Sequence, residues 1–138
     1  MTAVPTPRPL RRLSCDDVAA GLMYTGGGHW SSREEDASVE AALVEARPGM
    51  AGDVFDAAGA LLAALARAEY DRPDAKRAAF VGTCVFLHMN RRPAPAGLDQ
   101  DAAYELVTAA SERRIGALEA AERLRGLWLG GDGAEETR

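Results

Sequence analysis

Between Gly52 and Ala68 apolar residues recur three and four positions apart, with Phe55, Ala58, Leu62 and Leu65 on one stripe and Val54 and Leu61 beside it. A helix is the conformation that gathers that spacing onto one face, and a stripe so wide has to be covered by other elements. The same period returns at Val39, Ala42, Leu43 and Ala46, at Phe80, Val81, Cys84, Val85 and Leu87, and at Tyr104, Leu106, Val107 and Ala110. A last stripe extends through Ile115, Leu118, Ala121, Leu124 and Trp128. No stretch alternates apolar and polar residues as a half-buried strand does, and no internal repeat is visible. The expected class is all-α, a helical bundle of about six helices with a short flap.

Punctuation divides these stripes. Ser14, followed by Asp16 and Asp17, predicts the N-terminus of a helix running to about Tyr24, which Gly26, Gly27 and Gly28 break. Pro48 and Gly49 stop the second helix, Asp74 and Asp99 are placed to cap the fourth and fifth, and Gly116 marks a break within the sixth stripe. Pro5, Pro7 and Pro9 remove backbone donors and disfavour helix, so residues 1–12 are expected to form a disordered arm. Residues 13–129 then make one domain, and 130–138 a disordered polar tail.

Charge narrows the function classes. The chain has 138 residues and a formal net charge of −5, with no basic face in bulk, which argues against nucleic acid as the main partner. No window approaches the roughly 18 consecutive apolar residues of a membrane span. Cys15 and Cys84 are the two thiols, and without a secretion signal they read as reduced residues of a cytoplasmic protein. Lys76 is the one lysine in the chain.

The stretch from Leu65-Ala66-Arg67 through Phe86-Leu87-His88-Met89-Asn90 resembles the core of the Doc branch of the Fic family, in which an Ala/Leu-rich helix leads through a signature loop into a second buried helix. Tyr24-Thr25-Gly26-Gly27, Ser38 through Leu43, and Arg47-Pro48 are similar to that family's flap and following helix. Asp101 through Val107 is similar to the helix that closes the fold, so the resemblance spans residues 13 to 114. The family loop reads His-x-Phe-x-Asp/Glu-Gly-Asn-Lys/Gly-Arg. Its histidine deprotonates a target hydroxyl, its acid holds a metal, and its glycine-asparagine turn cradles phosphate. Carried over position by position, the histidine becomes Glu69, the phenylalanine Asp71, the acid Pro73, the glycine Asp74 and the asparagine Ala75; Lys76 and Arg77 remain.

That replacement changes what the loop can do. Glu69, Asp71 and Asp74 set three negative charges against Arg72, Lys76 and Arg77, where a nucleotide site needs a positive field. ATP with magnesium is therefore disfavoured as a cofactor, and no other cofactor or metal is implied. Glu69 and Asp71 can be a solvated loop, or Glu69 can serve as a general base if burial raises its pKa, or the three acids can hold a hard cation. Asp74, Lys76 and Arg77 are the candidate ligand or phosphate contacts. Tyr24, His29 and Trp30 are the candidate substrate-facing residues of the flap.

His88 reads as a hydrogen-bonded core or rim residue and Cys84 as packing. Three functions follow from the resemblance. One is a non-catalytic scaffold of toxin–antitoxin or regulatory type that binds a protein. Another is a diverged enzyme of specialised metabolism, using Glu69, Asp71, Lys76 and Arg77 on a small molecule or a protein hydroxyl. The third is residual phosphoryl or adenylyl transfer to a protein.

Overall fold

A computed structural model describes residues 10–24, 33–47, 52–68 and 75–130. These form six α-helices: α1 (Cys15–Tyr24), α2 (Arg33–Glu45), α3 (Val54–Arg67), α4 (Ala75–Met89), α5 (Gln100–Ser111) and α6 (Ala117–Arg125). One π-helical turn, Gly126–Gly130, follows α6. There is no strand among the described residues, as the hydrophobic period predicts. No helix among them is long and apolar enough to cross a membrane.

Three of the helix starts show how the sequence stops one element and begins the next. At α1 the Ser14 hydroxyl accepts from the Asp17 amide at 3.1 Å while the Asp17 carboxylate accepts from the Ser14 amide at 2.9 Å. The pair forms a reciprocal cap that satisfies two otherwise orphaned donors. Asp53 and Asp56 repeat the device at α3, with bonds of 2.8 and 3.1 Å. At α5 the expected cap is present, the Asp99 carboxylate accepting from the Ala102 amide at 3.1 Å.

Helix α3 is the axis of the fold. Every residue from Ala57 to Leu65 is buried, and α2, α4, α5 and α6 all pack on it. Phe86, Leu61, Leu62, Leu65, Leu87, Leu106, Leu124, Val18 and Val39 are the large side chains with under 2 % exposure. Burying each such side chain contributes on the order of 1.5–3 kcal/mol before chain entropy is counted. Against α6, α3 presents Gly59. A Cβ built there would lie 2.5 Å from the Ala121 amide nitrogen and 2.6 Å from the Ala117 carbonyl oxygen, so the two backbones touch where the side chain is absent. Arg125 fastens one end of that seam, its Nη2 donating to both Asp53 carboxylate oxygens at 3.2 Å and to Asp56 Oδ1 at 3.4 Å.

Helix α4 lies between α1, α3 and α5. Its last turn ends in a Schellman motif: the Arg92 amide donates to the Leu87 carbonyl at 2.7 Å and the Arg91 amide to the His88 carbonyl at 3.1 Å. Arg91 takes φ 69° there, a left-handed conformation that favours glycine. The Asn90 side chain then clamps Arg11, accepting from its amide at 2.8 Å and donating to its carbonyl at 3.1 Å. Arg11 is thus bonded to the domain although it lies within the span expected to be a loose arm.

Two sequence expectations are corrected. Leu118, placed on the sixth apolar stripe, is 81 % exposed, because α6 begins at Ala117 and turns Ala120, Ala121 and Leu124 toward α3 instead. Ile115 is buried, yet it belongs to the connector between α5 and α6 and to no helix. The Arg67 guanidinium fixes that connector, with Nη2 donating to the Ile115 carbonyl at 2.7 Å and Nε to the Ala110 carbonyl at 3.3 Å. One contact thus ties α3 both to the last turn of α5 and to the connector that follows it.

Candidate functional site

The first two turns of α4 and one face of α5 enclose a cleft of about 430 Å³. Helical spacing sets its walls: Lys76 and Phe80, then Arg77 and Val81, stand four residues apart on α4, and Gln100, Ala103, Tyr104 and Val107 follow one another along α5. The lining is mostly apolar. Phe80 is braced from behind, its ring meeting Trp128 edge to face with centroids 6.4 Å apart. Trp128 is itself held by its indole N–H, which donates to the Arg92 carbonyl at 2.9 Å.

Lys76 is half-buried and its Nζ lies 5.6 Å from the centroid of the Tyr104 ring. A cation on a ring face at that distance gains about 0.5–1 kcal/mol when exposed and more when water is removed. Arg77 stands beside it and is exposed. Tyr104, expected on the apolar stripe of α5, is 65 % exposed. The inward positions of that helix are Ala103, Leu106, Val107 and Ala110, and Tyr104 falls one step outside them, toward the cleft.

A second groove, of about 460 Å³, continues along α4 and shares Phe80, Val81 and Gln100 with the first. Cys84 lines it, and burial pushes its thiol up to about 12. Such a shift disfavours the thiolate and agrees with a packing role. His88 also lines this groove and is exposed. Of the core and rim positions expected for it the structure gives the rim, while its neighbour Leu87 is fully buried.

Of the candidate residues, Lys76 and Arg77 are brought together at the mouth of the cleft. Glu69, Asp71, Asp74, His29 and Trp30 lie outside the described residues, as does the side chain of Tyr24, whose backbone closes α1. Among the described residues no three His, Cys, Asp or Glu side chains converge in a set that could hold a metal ion.

Sequence reasoning missed Phe80, Gln100, Tyr104 and Val107 as site residues. A helical stripe looks the same whether it faces a core or a cleft. The usable signal was Gln100 four residues before Tyr104, a polar and an amphipathic side chain on the same flank of the helix. Compared with protein-family models and with curated proteins, the sequence gives no match.

Proposed function

We propose that the chain is a diverged Fic/Doc-like protein of toxin–antitoxin type, a cytoplasmic pseudoenzyme that binds a protein partner or target and lacks the family's standard transfer activity. The observation that carries this reading is the chemistry of the cleft into which Lys76 and Arg77 open. Those two cations are what the resemblance retains of the signature loop, and the space beside them is walled mostly by carbon from Phe80, Val81, Ala103 and Val107. A triphosphate needs several converging donors, which an apolar wall does not supply. The resemblance sets Glu69 where the family has its histidine base, and burial in the adjoining groove disfavours the thiolate of Cys84.

The test is nucleotide use. Magnesium ATP is expected to leave the melting temperature unchanged for both the wild type and Lys76→Ala. Incubation with α- or γ-labelled ATP and a cell extract is expected to give no labelled protein. Labelled protein that disappears in Lys76→Ala and Glu69→Ala overturns the reading and restores a transferase.

A further inference from the structure

We propose that the cleft between α4 and α5 is a small-molecule site for a carboxylate carried on an aromatic body, with the Lys76 ammonium as its anion contact and Phe80, Val81 and Val107 as its walls. This goes beyond the function proposed above and draws nothing from the family resemblance, since it uses only the described walls and their charge.

The size, the lining and the charge agree on this class. Small-molecule sites run from about 300 to 1,000 Å³ and are mainly apolar with a few placed polar groups. Here about 430 Å³ is bounded by aromatic and aliphatic side chains, with Lys76, Arg77 and Gln100 as polar contacts. Phe80 is a preformed wall, because Trp128 braces it and the Arg92 carbonyl braces Trp128. Little ordering is left for a ligand to bring about.

Lys76 supplies the sign. Among the described residues its contact is the Tyr104 ring and not a carboxylate, and it is the half-buried member of the cation pair. A neutral apolar ligand would strip water from that ammonium and return nothing. A carboxylate replaces the lost water with a charge-assisted hydrogen bond in a medium where charges attract more strongly than in water. One half-buried ammonium matches one carboxylate, and the aromatic body covers the Phe80 and Tyr104 rings.

Titration calorimetry with 2-naphthoate, set against the neutral isostere 2-naphthylmethanol, tests the site on the full chain. The acid is expected to bind at one saturable site, about tenfold or more tightly than the alcohol. Lys76→Met is expected to bring the acid to the alcohol's affinity and leave the alcohol unchanged. Val107→Phe, which adds bulk at a buried wall of the cleft, is expected to remove both, with circular dichroism reporting its fold. Absence of saturable binding of the acid up to its solubility limit overturns the proposal. So does undiminished acid binding by Lys76→Met, whose substitution lies at a half-exposed position and does not depend on the outcome for Val107→Phe. No nucleotide enters this experiment, so its failure is distinct from a failure of the pseudoenzyme reading.

Discussion

The seam between α3 and α6 and the cleft between α4 and α5 are both pairs of helices that bury alanines between them, and they end in opposite states. At the seam Gly59 lets one backbone rest on another, Ala120, Ala121 and Leu124 are buried, and Arg125 fastens the end to the Asp53–Asp56 cap. At the cleft the rings of Phe80 and Tyr104 line a space between the two helices that stays open at about 430 Å³. Side-chain size at two or three positions decides whether a pair of helices becomes core or site. Ridges close onto grooves where residues are small, and bulky rings with a charged neighbour keep them open.

The largest effect should come from adding bulk on each side. Gly59→Val places atoms inside the α6 backbone and is expected to cost about 3 kcal/mol or more, whereas Val81→Ile, at a half-buried wall of the cleft, is expected to change stability by less than ~1 kcal/mol. Urea denaturation of both variants measures this. Equal losses would erase the distinction between seam and cleft.

A smaller effect sharpens the comparison by acting on the cap at the seam. The hydrogen bond from the Asp56 amide holds the Asp53 carboxyl below its ordinary pKa; burial opposes that lowering and the Arg125 charge adds to it. A carboxyl whose folded pKa is depressed contributes stability that is present above its unfolded pKa, near ~3.9, and is lost as pH falls through the folded value. Acid should therefore loosen the α3–α6 seam ahead of the cleft, as read by hydrogen exchange at Ala120 and Ala121 against Ala103. Asp53→Asn keeps a capping side chain and should flatten this acid response. Asp53→Ala should cost about 1 kcal/mol at neutral pH through loss of the cap.

The smallest effect lies at the ends of the cleft helices. Both α4 and α5 finish on an arginine in the left-handed region, Arg91 at φ 69° and Arg113 at φ 61°, where the Schellman geometry favours glycine. Arg91→Gly and Arg113→Gly are each expected to raise stability by about 0.5–1 kcal/mol without altering the cleft, measured by thermal denaturation. A loss of stability in either would mean that the arginine side chain holds the cleft walls and that the strain there is compensated.

Much of the fold was legible because helix formation is local. Ser14 and Asp99 announced their helices through side chains that reach the first turn, and the Phe55–Leu65 stripe announced a buried helix through a period that no strand shares. The candidate site was legible only in part. Lys76 stood out as the one lysine, but Phe80 and Tyr104 are indistinguishable from core residues until their neighbours are known, and Leu118 looked buried until α6 was oriented.

By itself, then, the chain determined its all-α class and the capped starts of α1 and α5, since each of these depends on residues a few positions apart. Tertiary structure decided which helix pair closed and which stayed open. It also brought Arg67 to the α5 carbonyls, Asn90 to Arg11 and Trp128 behind Phe80. Those contacts join residues 43 to 79 positions apart in the hydrogen-bonded cases, and no local period encodes a partner so distant.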